Sequence, residues 1–319
     1  MPLRSLPSVS AARPLRGPHR LRGAFIGVVL VGCGLGSSAL AAGDGKLLLT
    51  GGVSTIDGAA GGGLTPWALT GSYATEGQLG ATAHLTGVKT RDYSLQAYGA
   101  AVVWDDRLEL SLARQDLNAG DNLAPLALTG LHLKQDIVGV KLRIAGDAVL
   151  DSDSWLPQIA IGALHKRTDA AALAPTLFGP LGAKASGTEV YLSATKLFLA
   201  AGILVNGTLR ATQANQNGLL GFGGAQGQGM QVMPEVSLAL LLSRQVAIGI
   251  EARAKPDNLN QSVLGTGALK EDDWFDAFIA WAPGKHFSLT LAYVDLGRIA
   301  PAVQPRRQRG AYLSAQLAF

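Results

Sequence analysis

The sequence predicts an all-β fold: a closed antiparallel transmembrane β-barrel of about fourteen strands, with twelve the second count the spacing allows. Three observations lead there. From Lys46 onward, apolar residues recur with period two, the signature of strands with one apolar face. Most of these segments run about 10–12 residues, longer than the usual soluble strand of 5–6 and close to the 9–11 a tilted membrane strand needs. The connections between them mostly alternate short and long, as in outer-membrane barrels with tight periplasmic turns and long outer loops.

The elements follow in chain order. Residues 1–41 read as a signal peptide. Arg4, Arg13, Arg16, Arg20 and Arg22 make a basic start without acids, Ala24 to Leu35 are apolar, and Ala39-Leu40-Ala41 is an A-x-A cleavage site. The leader has no Arg-Arg pair, which favours general secretion over the twin-arginine route. Leu30-Val31-Gly32-Cys33 offers an alternative, a lipobox that would leave Cys33 lipidated. Residues 42–319 are the barrel domain.

Fourteen strand segments are expected at about 46–54, 66–75, 77–88, 93–104, 107–117, 134–145, 155–166, 187–197, 202–213, 232–243, 245–254, 273–282, 286–295 and 310–319. Residues 107–114 show the pattern plainly, with Leu108, Leu110 and Leu112 on one face and Glu109 and Ser111 on the other. Arg114 and Asp116 then fall on the lipid phase, and a bulge near Ala113 would turn them inward. Segment 46–64 could instead fold into the barrel as a short plug, leaving an odd strand count. Trp104, Trp155 and Trp281 sit beside short turns, as an inner aromatic girdle would. Trp67 and Trp274 follow long loops, as an outer girdle would. Gly61-Gly62-Gly63 reads as loop flexibility.

Composition excludes other classes. The chain is 48% hydrophobic and 16% charged, with 41 Gly and one Cys. Soluble domains are about 25% charged and about 7% Gly. No apolar run after the leader approaches the ~20 residues of a membrane helix, and one Cys rules out a disulfide scaffold. The formal charge of +4 belongs to the leader: without its five Arg the balance is 22 basic to 23 acidic, a net of −1. Nucleic acid is therefore not an expected partner.

The last ten residues, Gly310 to Phe319, alternate and end on an aromatic. Leu313, Leu317 and Phe319 lie on one face. This resembles the C-terminal signal of bacterial outer-membrane barrels that the barrel-assembly machinery reads, and it implies the outer membrane as location. Its lipid and lipopolysaccharide would then be partners; the outer-rim charges Glu271-Asp272-Asp273 and Arg306-Arg307-Gln308-Arg309 read first as solvated loop ends and otherwise as contacts for divalent cations or lipopolysaccharide phosphates. The opening of the mature chain, Lys46 to Trp67, resembles that of a proteobacterial family of unknown function, secreted and β-rich. That resemblance implies location and leaves the activity open.

No catalytic, metal or cofactor motif stands out. None of His84, His132, His165 and His286 sits in a phospholipase-like Ser–His–Asn setting, there is no zinc spacing and no P-loop, and Asp151-Ser152-Asp153-Ser154 lacks the rest of a calcium loop. The chain is read as a non-enzyme without a cofactor. Turning the apolar phase to lipid sends Glu109, Lys141, Arg143, Lys166, Glu189, Arg210, Glu235, Glu251, Arg253 and Asp276 into the lumen, five acids and five bases. Facing pairs are expected at Glu109–Arg143, Lys166–Glu189, Arg210–Glu235 and Arg253–Asp276. Balanced signs imply a passive or weakly selective channel for small solutes. An uptake barrel for hydrophobic molecules and a structural or surface-interaction barrel are the alternatives.

Overall fold

A computed structural model describes residues 46–149, 155–227 and 229–319. The predicted leader lies outside the described residues, as does the Asp151–Ser154 turn. Twelve strands form the barrel: β1 (Leu79–Thr90), β2 (Ser94–Trp104), β3 (Leu108–Asn118), β4 (His132–Ala145), β5 (Gln158–Asp169), β6 (Ser186–Phe198), β7 (Ile203–Thr212), β8 (Gln231–Leu241), β9 (Val246–Arg253), β10 (Trp274–Gly284), β11 (Phe287–Asp295) and β12 (Arg309–Ala318). Each pairs antiparallel with its neighbours in sequence, and β12 closes the ring on β1. Closure leaves no unpaired edge, which hydrocarbon would penalise by several kcal/mol per bare backbone group.

The alternation fixes which face meets lipid. On β3 the inward Glu109, Ser111, Ala113 and Gln115 are buried, while Leu110 and Leu112 face out. On β11 and β12, Leu291 and Leu313 are cross-strand partners, each about half exposed on the outer surface. The terminal residue extends the seam: the Phe319 N–H donates to the Ala81 carbonyl at 2.8 Å, and the Ala81 N–H returns the bond at 2.9 Å. The side chains of Leu313, Leu317 and Phe319 all lie on the outer face. This closed barrel with an apolar outer band is an outer-membrane protein.

Arg114 and Asp116 do face outward, and β3 runs without a bulge at Ala113. They are paired there: Arg114 to Asp136 at 3.4 Å, and Asp116 to His132 at 2.5 Å and Lys134 at 3.6 Å. A polar belt at this end shows that the strands rise beyond the apolar band into water.

The ring has twelve strands rather than fourteen because segments 46–54 and 66–75 are not in the wall. They fold inside it with the residues between them as a plug, whose only regular pairing is Val53–Ser54 against Ala60–Gly61. The inward-folding alternative therefore holds, and because it removes both segments the count stays even. Trp104, Trp155 and Trp281 are exposed at the periplasmic ends as expected, whereas Trp67 and Trp274 are buried in the interior and do not form an outer girdle. Over the outer mouth the long loops pack on one another through Leu177, Leu181, Leu219, Leu259 and Leu269, and on Leu133 at the start of β4, forming a cap.

The outer face predicts its own test. Leu291 sits mid-strand on the lipid side. Replacing it with Arg is expected to cost about 2–4 kcal/mol, measured as equilibrium unfolding in lipid vesicles. Val263→Arg, in the exposed outer hairpin, should change it by less than about 0.5 kcal/mol, as surface substitutions do.

Candidate functional site

The plug is built from tight turns. Thr55 N–H donates to the Ala59 carbonyl at 2.9 Å and Ile56 N–H to the Gly63 carbonyl at 3.0 Å, and Trp67 N–H returns to the Ala60 carbonyl at 3.1 Å. Two glycines are required by contact. Gly58 has φ +93°, and a Cβ there would stand 2.8 Å from that of Ala113. A Cβ on Gly62 would lie 2.3 Å from a Glu251 carboxylate oxygen. The Gly61–Gly63 run therefore serves close approach, at Gly61 within the plug and at Gly62 to the wall, and is not free loop.

Wall charges satisfy the plug's backbone at the periplasmic end and in the middle. Glu109 accepts from the N–H groups of Ala60 (3.0 Å) and Gly71 (2.7 Å). Lys141 Nζ donates to the carbonyls of Ala60 and Leu69, both at 2.8 Å, and pairs with Glu109 at 3.3 Å. Glu251 accepts from Leu64 N–H at 2.8 Å, from Ser237 at 2.8 Å and from the Thr65 hydroxyl. The Trp67 indole donates to Ser237 at 3.0 Å, and Thr208 donates to the Pro66 carbonyl at 2.8 Å.

Nearer the outer end, one plug side chain meets a cluster of wall charges. Asp57 Oδ1 lies 3.1 Å from Lys166 Nζ and accepts from Asn217 Nδ2 at 2.8 Å and Gln115 Nε2 at 3.1 Å. Its Oδ2 faces Arg253 at 3.3 Å and Arg210 at 3.7 Å. Lys166 also pairs with Glu189 at 2.6 Å, Arg210 with Glu235 at 2.6 Å, and Arg253 with Glu235 at 3.2 Å. Three cations thus face three carboxylates, one supplied by the plug. Asn217 comes from the loop after β7, which dips into the mouth of the barrel.

The sequence-selected residues fall as follows. Glu109, Lys141, Lys166, Glu189, Arg210, Glu235, Glu251, Arg253 and Asp276 are all buried inside the ring. Arg143 is half-buried at the periplasmic rim, paired with Asp106 at 2.6 Å and Asp147 at 3.6 Å. Of the four expected pairs, Lys166–Glu189 and Arg210–Glu235 form. Glu109 pairs with Lys141 instead of Arg143, because the register sets those two residues opposite each other. Arg253 turns to Asp57 and Glu235. Asp276 stands opposite Glu251 in the register, and its Oδ1 has no hydrogen-bond partner among the described residues. His84 points inward and is buried, with no hydrogen bond among the described residues.

Sequence reasoning missed Asp57, Gln115, Asn217 and Lys255, and it placed Glu271 at the outer rim, whereas the side chain is buried. Asp57 alone left a signal: it is the one acid in the Gly-rich stretch 51–63. Lys255 and Glu271 form a buried pair at 3.4 Å in the outer loop, with the ammonium 3.6 Å from the centre of the Trp274 ring. Burial pulls the Lys255 pKa down to about 8, with the Glu271 carboxylate opposing the shift. The outer-rim arginines are already paired: Arg306 with Asp92 at 2.9 Å, Arg307 with Asp295 at 3.0 Å and Arg309 with Asp295 at 2.9 Å.

Several spaces flank the plug. At the periplasmic end a vestibule of about 360 Å³ is lined by Lys46, Asp105, Asp106, Arg107, Arg143 and Asp147. Under the cap lies an apolar cavity of about 50 Å³, walled by Ile56 and Leu64 of the plug, by Leu219, Leu296 and Ile299 of the loops, and by β-strand residues.

The family model described as "Protein of unknown function (DUF3034)" matches residues 50–316. The chain belongs to this family. The match takes in the plug as well as the strands, so the stopper is part of the family domain. No curated protein matches the chain in sequence. Among solved structures it is similar to the KdgM porin, at 8% identity and TM-score 0.47, over 75% of this chain and 99% of that one. It is also similar to an outer membrane channel from Pseudomonas putida F1, at 10% identity and TM-score 0.44, over 77% and 96%. A third is outer membrane phospholipase A from Escherichia coli, at 9% identity and TM-score 0.39, over 74% and 92%.

Two buried acids should respond in opposite ways to neutralisation. Glu109→Ala strands Lys141 in the interior and is expected to cost about 3–5 kcal/mol. Asp276→Asn relieves a like-charge contact and should be neutral or stabilising. Both are read from the temperature at which the folded, fast-migrating form is lost on a gel.

Proposed function

We propose that the protein is a plug-gated channel for small polar solutes. The observation that carries this reading is how the plug is held. It meets the wall through many hydrogen bonds and ion pairs, to hydroxyl, amide and charged groups that water could equally satisfy, beside an apolar contact of Leu49, Ile56 and Leu64 with wall residues such as Leu204 and Phe278. A ring of eight strands is filled by its own side chains, and one of twelve is wider. Withdrawal of the plug would therefore leave a hydrated passage continuous with the periplasmic vestibule. Leader cleavage, recognition of the Phe319 strand by the assembly machinery and contact of the outer rim with lipopolysaccharide belong to the same reading.

The apolar cavity is too small to favour uptake of hydrophobic molecules, with room for only a few carbon atoms. Catalysis is not part of this function. His165 Nδ1 and Thr188 Oγ1 lie 3.0 Å apart on the outer surface, but a histidine–hydroxyl contact needs a third, orienting group to make a nucleophile.

Thr65 and Ser237 provide the test, with hydroxyl oxygens 2.6 Å apart between plug and wall. Their short side chains suit a disulfide, and the sequence after the leader has no other cysteine. The Thr65→Cys/Ser237→Cys protein in a planar bilayer is expected to conduct when reduced and to stay closed when oxidised. Equal conductance in both states would rule out plug gating, and no conductance in either would rule out the channel.

A further inference from the structure

The upper cluster around Asp57 has the form of a binding site occupied by part of the protein itself. Five donor side chains converge on one carboxylate, and all five belong to the wall or the inward loop: Gln115 on β3, Lys166 on β5, Arg210 on β7, Arg253 on β9, and Asn217. All five are nine-tenths or more buried. The plug contributes only the anion.

We infer that this cage is an oxyanion site, that Asp57 fills it in the closed state, and that a small carboxylate solute takes it over to release the plug. The inference rests on the plug-gated reading and adds the solute class and the trigger.

Charge arithmetic supports it. Without Asp57 the cage keeps Lys166, Arg210 and Arg253 against Glu189 and Glu235, a surplus of one positive charge. A buried charge left without a partner is strongly unfavourable, so the vacated cage will take up an anion. A carboxylate restores both the neutrality and the two-oxygen geometry: three donors to one oxygen and two guanidinium groups to the other. Guanidinium groups suit carboxylates through charge-assisted bonds.

The plug offers no second anion to compete. Residues 46–78 contain three charged side chains, and of these Glu76 is exposed and Lys46 is at the periplasmic rim, paired with Asp106 at 2.6 Å. Apart from the Lys46–Asp106 pair, the other charged wall groups reach plug backbone or the hydroxyls of Thr65 and Thr70, which an anionic solute does not displace by charge. Exchange at Asp57 is therefore the contact through which an anion can loosen the plug.

Access is from outside. A slit of about 10 Å³, room for roughly one water, is lined by Glu189, Arg210, Asn217 and Arg253 of the cage and by Lys255 and Pro256 of the outer loop. A solute needs the loops around Asn217 and Lys255 to part, and does not need to cross the plug.

The test is conductance of the full-length mature protein in planar bilayers, with sodium chloride exchanged for sodium acetate on the outer side at constant ionic strength. In the wild type, acetate should raise the open fraction several-fold. Asp57→Asn, which keeps the shape and loses the charge, should be open in chloride alone, insensitive to acetate in its open fraction, and anion-preferring by reversal potential. Asp57→Asn/Arg253→Gln balances the cage at two positive and two negative charges and should lose that preference. Asp57→Asn/Lys166→Met, with the same balance, provides the check if the first double variant does not reach the membrane.

If Asp57→Asn opens but passes anions and cations equally, the oxyanion site is wrong while plug gating stands. If Asp57→Asn stays as closed as the wild type while reduced Thr65→Cys/Ser237→Cys conducts, Asp57 is not the latch and the inference falls. If none of these proteins conducts, the underlying channel reading fails with it.

Discussion

Closing twelve strands into a ring satisfies the backbone groups of every strand, which is the condition for residing in hydrocarbon. The same closure fixes an interior too wide for its own side chains to fill. The remaining architecture answers that constraint. Some inward positions, such as Leu197, Leu204, Phe278 and Val294, pack against apolar side chains of the plug, while many others are hydroxyls, amides and charges that in turn need partners. The segment from Lys46 to Gln78 supplies them, largely with its backbone. A chain that folded back on itself as a helix would keep its N–H and C=O groups for itself. This one, broken by Gly58 and Gly61–Gly63, leaves them free for Glu109, Lys141 and Glu251.

Charge placement follows from burial. A lone ion inside the ring would cost several kcal/mol, so the ions come in groups whose signs cancel. Glu109 and Lys141 cancel within the wall, as do Lys255 and Glu271 in the outer loop. The group around Arg210 does not cancel without Asp57. The exception on the other side is Glu251 and Asp276, two acids opposite each other. There the hydrogen bonds from Leu64, Thr65 and Ser237 all go to Glu251, and Asp276 Oδ1 has none among the described residues.

Much of the wall was legible because a strand between lipid and lumen must alternate, and residues such as Leu108 to Gln115 do so. The plug was harder to see. An extended segment inside a barrel also shows small and apolar residues in short runs, so Lys46 to Ser54 and Pro66 to Thr75 looked like wall. Trp67 goes with them, and Trp274, which follows a long loop as an outer-girdle residue would, faces inward instead, where Arg253 and Lys255 lie over its ring. The ion pairs show a second limit. Which strands face each other follows from order in the chain, and it gave Lys166–Glu189 and Arg210–Glu235 correctly. How far one strand slides along the next depends on loop conformation. A two-residue slide moves Glu109 from Arg143 to Lys141 and sets Asp276 against Glu251 instead of Arg253. Asp57 and Asn217 approach from outside the strand order altogether, so no pairing rule for strands could have found them.

The depth of the cage decides which side controls the plug. Lys166, Glu189, Arg210, Glu235, Arg253 and Gln115 all lie within four residues of the outer ends of their strands. At about 3.4 Å per residue that places them within roughly 14 Å of the loops. On the outside of the barrel near this end, the surface is already polar, with Arg114, Asp116, Asp136, His165 and Arg167. The cage therefore sits above much of the apolar band, where the surroundings are wetter and exchanging one anion for another costs least. The contacts of Glu109 and Lys141 lie at the opposite end and bind backbone, which no solute charge replaces. A plug fastened in these two ways should loosen from the outer end first, while the periplasmic contacts keep it tethered to the ring at Leu79.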